Sequence, residues 1–353
     1  MRGGLYKRLL NWGKLNLFPN IAQSIISTLM LILAGGFLYL MLNWFFINAV
    51  WDGDASVCRE ASGACLSFIR EKYLYILFGV YPREHLWRPI VGLLLWIIFW
   101  FHFTKKKNWN KSLLVKFPTL FIIYYFLLSG GWGLALVENH LWGGLPLTIL
   151  LSTVGILFSY PLGILLALGR RSKSKLISFP VVCYIELIRG VPLISILFMS
   201  SVMLPLFLPN DLSIDKLFRA QVAIILFSAA YFAEVVRGGL QSLPSGQEEA
   251  AKALGLNYLQ TQIYVILPQA LVQVIPPTVN TMIGMFKDTS LVIVIALFDL
   301  MGTAKSSLSD ASWLGFSIEA YIFVAFIYFV ICFFMGRFSQ QVEYEFKLSK
   351  ERN

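Results

Sequence analysis

Apolar residues in this chain gather into long runs instead of alternating with polar ones. The runs lie near Ala22–Phe46, Ile90–Phe103, Pro118–Val137, Leu145–Leu168, Pro180–Phe207, Leu217–Val236, Pro276–Leu300 and Phe316–Met335. Most are long enough to cross about 30 Å of hydrocarbon, and the second is the shortest. Inside a bilayer the backbone has to satisfy its own hydrogen bonds, and runs this long and uniform do not fit the alternating strands of a barrel. The pattern therefore predicts an all-α integral membrane protein with about eight transmembrane helices. The first run is long and is followed by no clear small-residue cleavage site, so it is expected to stay as an uncleaved anchor.

The polar segments between runs divide the chain near residue 140. Before that point the runs are separated by a bulky segment, "REKYLYILFGVYPREHLWRP", and by a lysine-rich one; after it, five runs follow with compact connections. Residues 1–140 read as an extension with about three spans and an external loop, and residues 141–353 as a five-span core. No internal repeat is visible.

One connection in the core is long, polar and alanine-rich: Ser245 to Ala270, "SGQEEAAKALGLNYLQTQIYVILPQA". Ser245 followed three residues later by Glu248 predicts a capping box and a helix start. Ala250, Ala251 and Ala253 favour the helix, and Gly255 suits the left-handed residue that ends one. Asn257, with Gln260 at its third position, predicts the start of a second helix that runs until Pro268 perturbs it. A helix, a glycine turn and a second helix suit insertion into a groove on a soluble partner, or simple contact with lipid headgroups.

Composition agrees with the pattern and excludes a soluble globular domain: 58% of residues are hydrophobic, 14% are charged, and mean hydropathy is +0.71. The net charge of +10 is unevenly placed. Arg2, Lys7, Arg8 and Lys14 precede the first run; Lys105, Lys106, Lys107, Lys111 and Lys116 follow the second. Arg170, Arg171, Lys173 and Lys175 follow the fourth, and Arg337, Lys347, Lys350 and Arg352 the last. Among the alternate connections, Glu138–Gly143 has no basic residue and Thr303–Gly315 only Lys305, so the positive-inside rule puts both termini and the 242–270 loop in the cytoplasm. Basic residues confined to short tethers beside spans point to lipid headgroups and not to nucleic acid.

Cys58 and Cys65 fall in the loop that this orientation places outside, where a disulfide or two free thiols are both allowed. Cys183 and Cys332 read as small packing residues in apolar runs. Three histidines and no metal-ligand spacing predict no metal site.

Ionisable residues within or beside spans need partners or water. Glu186 and Arg189, and again Glu234 and Arg237, are three apart and predict ion pairs at helix ends. Lys287 and Asp288 fall mid-span, beside Asn280, Thr281, Thr289 and Ser290. With Pro276-Pro277 breaking the entry to that span and Gly284 weakening its helix, Asn280, Lys287, Asp288, Thr289 and Ser290 are candidates to line a translocation path. Glu319 reads as an exposed acid at the outer rim, with an entrance residue as the alternative. Arg170 and Arg171 read as orientation charges.

The spacing Glu249-Ala250-Ala251, three residues, Gly255, nine residues, Val265, one residue, Leu267-Pro268 resembles the "EAA" signature of permease subunits of bacterial ATP-binding-cassette importers. Only Val265 departs from it, where isoleucine is usual. "ELIRGVPLI", "YFAEVVRGGLQSLPSGQEEAAKALG" and "PPTVNTMIGMFKDTSL", with "WGGLPLTILL" and "GILLALGRRS", are similar to the subgroup importing polar and general L-amino acids, from about Trp142 to Glu343. The amino-terminal part, with "GACLSFI", is similar to one of two permeases of broad-specificity importers. The resemblance implies that Glu248, Glu249, Ala250, Ala251, Gly255, Leu267 and Pro268 dock on a cytoplasmic ATPase. It also implies a second permease subunit, different or identical, and a periplasmic amino-acid-binding protein. The chain has no G-x-x-x-x-G-K-[ST] phosphate loop, so no cofactor is expected on it and ATP with Mg belongs to the partner ATPase. The competing class, an ion-coupled secondary transporter, is expected to show internal repeats.

Overall fold

The computed structural model describes residues 3–105, 108–109, 112–131, 133–209 and 214–351. Of the basic residues that set orientation, Arg2, Lys106, Lys107, Lys111 and Arg352 lie outside the described residues. Among the described residues every regular element is helical, and pairing outside helices is confined to isolated bridges such as Val50 with Cys65.

The chain forms two compact units, residues 1–71 with 311–319, and residues 72–310 with 320–353. In the first unit, helix α1 (Gly3–Asn16) leads into α2 (Ile21–Leu42), which Asn20 caps by accepting from the Gln23 amide at 2.9 Å. A π turn, Asn43–Ile47, extends α2. No α2 residue is buried within the unit, as expected of a helix whose apolar surface faces lipid on all sides. The short α3 (Ala55–Glu60) and the start of α4 (Leu66–Phe78) are joined by a Cys58–Cys65 disulfide with Cα atoms 5.4 Å apart. Glu319 corrects the sequence expectation: it is buried, and its Oε1 accepts from the Cys65 amide at 3.0 Å. Phe68, fully buried, packs against Trp313 and Phe316 beside it.

The second unit holds α5 (Trp87–Phe103), α6 (Leu113–Ser129), α7 (Gly144–Arg170), α8 (Lys175–Gly190), α9 (Leu193–Phe198), α10 (Lys216–Gln241), α11 (Gly246–Ala253), α12 (Tyr258–Gln260), α13 (Leu267–Gln273), α14 (Ile275–Asp288), α15 (Leu300–Ser307) and, from Ala320 onward, α16 (Ser317–Glu351). Its centre is α7 against α10. Small residues let these helices approach closely, as membrane helix pairs require. A Cβ at Gly163 would stand 2.5 Å from Phe232 Cβ. Leu147, Leu150 and Leu151 of α7, Leu197 of α9, Ile224 and Phe232 of α10, and Phe286 of α14 form the main core. A second cluster, Ala167, Val236, Leu240, Ile266 and Ala270, packs the ends of α7 and α10 against the 261–273 segment.

Among the described residues six helical stretches are long and apolar enough to cross a membrane: Ile21–Ile47, Arg83–Phe103, Gly144–Arg170, Lys216–Gln241, Ile275–Ile295 and Ser317–Glu345. They coincide with six of the expected runs, and the other two differ in form. The Pro180–Phe207 run is not one straight span: Lys175–Gly190 and Leu193–Phe207 meet at a bend of 102°. Pro180 is tolerated inside α8, whereas Val191 is extended (φ −111°, ψ 133°) ahead of Pro192, whose ring disfavours helix at the preceding residue. The Pro118–Val137 run helps form a shorter apolar helix, Val115–Ser129, closed by Gly130 at φ +79°. By compactness α5 and α6 lie in the second unit, with α7 and α10.

Candidate functional site

The 242–270 loop is built as its residues dictate from Gly255 onward. Gly255 sits at φ +79°, its amide donates to Lys252 O at 2.9 Å, and the Leu256 amide donates to Ala251 O at 3.2 Å. This pair of bonds is the Schellman closure that a left-handed residue permits. Asn257 and Gln260 then form a reciprocal capping box, at 3.0 and 2.9 Å. The Ser245 capping box does not form. Ser245 is itself helical (φ −58°, ψ −29°), so its side chain caps nothing and its carbonyl accepts from the Glu248 and Glu249 amides. Glu248 instead pairs with Lys252 at 3.1 Å and Arg171 at 3.5 Å. Pro268 does not end the second helix: the chain widens into a π segment, Thr261–Ile266, which runs on into α13 with Pro268 at its start.

The loop divides its residues between inside and outside. Ala251 is 3% exposed and Leu267 half-buried, while Glu249, Ala250, Gly255 and Pro268 are exposed. Leu254, Leu259 and Tyr264 are 82%, 68% and 72% exposed, large apolar residues on a loop that also exposes many polar ones.

Beside the loop, the helix ends carry a carboxylate ringed by guanidiniums. Glu234 of α10 meets Arg170 at 2.8 Å, Arg189 at 3.3 Å and Arg237 at 2.8 Å. The Glu234–Arg237 pair is the expected one. Glu186, however, pairs with Arg170 at 2.9 Å, and Arg189 turns to Glu234 and lies 5.8 Å over the Tyr231 ring. The sequence expectation of a Glu186–Arg189 pair gives way because a carboxylate on a neighbouring helix lies within reach of each guanidinium. Arg170 and Arg171, read from sequence as orientation charges, are structural partners here. Their signal was hidden because the carboxylates they meet lie 16, 64 and 77 residues away in the chain.

Helix α14 sorts its residues by face. Thr278, Val279, Met285 and Phe286 are buried in the core, whereas Pro277, Asn280 and Lys287 are exposed. Asn280 and Lys287, seven residues apart, share that open stripe with the half-buried Gly284. Asp288 and Ser290 are half-buried. Thr289 is buried and its hydroxyl donates to Phe286 O at 2.8 Å, so it does not share the Lys287 face; residues two apart lie on opposite sides of a helix. Gly284 leaves the helix unbroken; Pro276 and Pro277 occupy its first turn, and the α-helical ladder ends only at Asp288. Beyond it a 3-10 segment, Thr289–Ile295, ends at Ala296 with φ 54°. Of the two cysteines expected to pack, Cys332 is half-buried but Cys183 is exposed.

The chain as a whole is similar to known proteins. Residues 159–344 match the family of binding-protein-dependent transport system inner membrane components. The inner membrane amino-acid ABC transporter permease protein YhdY of Escherichia coli is 45% identical over 348 residues, covering 97% of this chain and 94% of its own. This chain belongs to that family. The glutamate/glutamine/aspartate/asparagine transport system permease protein BztC of Rhodobacter capsulatus is 34% identical, across 96% of this chain and 94% of its own. A crystal structure of an amino acid ABC transporter with histidines aligns with a TM-score of 0.51 at 29% identity, over 67% of this chain and 98% of that one. As a member of the family, the chain is a multi-pass inner membrane permease subunit; it catalyses no reaction, and ATP is hydrolysed by a partner ATPase.

Proposed function

We propose that this permease imports L-amino acids of polar or broad side-chain type, taken from a periplasmic binding protein and driven by a cytoplasmic ATPase that docks on the 242–270 loop. The observation that carries the reading is the outward face of that loop: a Schellman-closed helix offering Glu249 and Ala250, with Leu254 and Leu259 exposed beside it. Exposed apolar side chains on a polar loop that also packs on the core suit insertion into a groove of a soluble partner. The named relatives, full-length amino-acid permeases, supply the substrate class.

In this reading both termini and the loop face the cytoplasm, following the lysine and arginine bias. Residues 1–140 act as an extension on a transport core of residues 141–353. The exposed stripe of α14, with Asn280 and Lys287, faces the translocation path, and Asp288 and Ser290 flank it. A second, different permease subunit closes the other side of the path. ATP binding draws the two loops together and turns the pair outward; hydrolysis returns it inward. The test is uptake of radiolabelled glutamate, glutamine, aspartate and asparagine into proteoliposomes holding the permease pair, with and without the ATPase. Uptake that requires ATPase, ATP and binding protein supports the reading. Uptake that persists without the ATPase overturns it.

A further inference from the structure

The geometry points to Arg170 and Arg171 as positioning residues that link the 242–270 loop to the ends of the transport helices. They are consecutive at the end of α7, so their side chains leave the helix about 100° apart and serve different partners. Arg170 gives one Nη to Glu234 at 2.8 Å and the other to Glu186 at 2.9 Å, joining α7 to α10 and α8. Arg171 gives Nη2 to Glu248 of α11 at 3.5 Å and Nη1 to Leu240 O at the end of α10 at 3.4 Å. Four helices therefore meet at two adjacent guanidiniums.

The contacts are graded. Glu234 also holds Arg189 and Arg237 and is only 14% exposed at its side chain, so the inner cluster is crowded with short, mutually supporting bonds. Arginine suits such a junction because its planar fork serves two acceptors at once. The outer contact is longer, its partners are 32% and 25% exposed, and Glu248 is shared with Lys252. A shift of α11 relative to α7 breaks the outer pair while the inner cluster holds. The same region stores unmet polar groups: Thr261 Oγ1 and both amide atoms of Gln262 are buried without partners in the π segment of the loop. π segments recur at functional sites, and unpaired buried polar groups do not lock this one in place. Arg171 is then the contact through which a shift of the loop reaches α7, and Arg170 carries it to α8 and α10.

This rests on the loop being the ATPase-coupling element. The experiment uses the complete transporter in proteoliposomes and measures amino-acid uptake per ATP hydrolysed. R171E and E248R are each expected to lower that ratio by about tenfold, and the R171E/E248R swap to restore it to within about threefold of the unaltered transporter. A purely structural cation at a helix end would not be rescued by a change on α11. Normal coupling in either single variant, or a swap as poor as the singles, overturns the link. Should R171E fail to assemble, R171Q and E248Q serve instead: a double variant no worse than either single supports the link, and additive losses overturn it. G255V measured in parallel separates the two claims. If G255V uncouples and R171E does not, the arginine link alone fails; if neither uncouples, the reading of the loop fails with it.

Discussion

At the scale of single residues, two positions carry the site and differ in how much of them the sequence exposes. Gly255 was legible because only glycine adopts φ +79° without strain, and its spacing from the alanines marked a helix end. A Cβ there meets nothing within 4 Å, so a substitution acts through the backbone alone. Gly255→Val should cost about 1–2 kcal/mol locally and lower uptake per ATP, while Gly255→Asn, which tolerates the left-handed region, should stay closer to the unaltered protein. The measurement is coupled uptake in proteoliposomes with complex assembly followed by co-purification. Glu234 was legible only as half of an i, i+3 pair; its two further guanidiniums come from α7 and α8. Glu234→Ala leaves three arginines facing one another without their shared counter-charge. We expect a loss of about 1–3 kcal/mol, read as a lower thermal unfolding midpoint in detergent, and a smaller loss for Arg237→Ala, which removes one contact among three.

At the scale of elements, apolar runs located the helices and local backbone chemistry shaped them. The bend after α8 was written in "RGVP", yet an uninterrupted count of apolar residues passes over it, because hydropathy does not register that proline restricts its predecessor. Glycine had opposite meanings in two helices. Gly163 sits where α7 and α10 touch, so Gly163→Val forces Phe232 and the Ala229 carbonyl aside and should destabilise by about 1–3 kcal/mol. Gly284 has open space around its Cβ position within a continuous helix. Gly284→Ala should leave stability unchanged or raise it by up to about 1 kcal/mol, since alanine favours helix. Thermal unfolding of the two variants side by side checks both. Because Gly284 lies on the proposed path stripe, reduced uptake by a stable Gly284→Ala protein would support that role, and full uptake would remove Gly284 from it.

At the scale of the whole molecule, long-range contacts bind distant parts of the chain within each compact unit. In the first unit the disulfide Cys58–Cys65 and the Glu319 carboxylate hold one loop from both sides, joining residues 254 positions apart. Cys58→Ser with Cys65→Ser should destabilise that loop by about 2 kcal/mol, near the low end for disulfides because the closed ring is short. Faster protease cleavage between residues 50 and 70, with the rest of the chain intact, is the expected result. In the second unit the α7–α10 contact and the cluster beneath the loop place the proposed coupling element directly on the helix ends that the arginines join.

The class of the protein, the positions of most of its spans, the glycine closure of the loop and its second cap were all determined by sequence alone. Each depends on residues within a few positions of one another: apolar length, a left-handed glycine, an asparagine three residues before its glutamine. The chosen partners were decided only by tertiary structure. Glu186 and Arg189 stand three apart and still pair elsewhere; Ser245 precedes Glu248 by the right spacing and still caps nothing; Glu319 begins a helix near an edge and is buried. Local spacing says which contacts are reachable. A charged group settles on the strongest contact in reach, and in a packed helical membrane protein that contact comes from a neighbouring helix whose position depends on the whole fold.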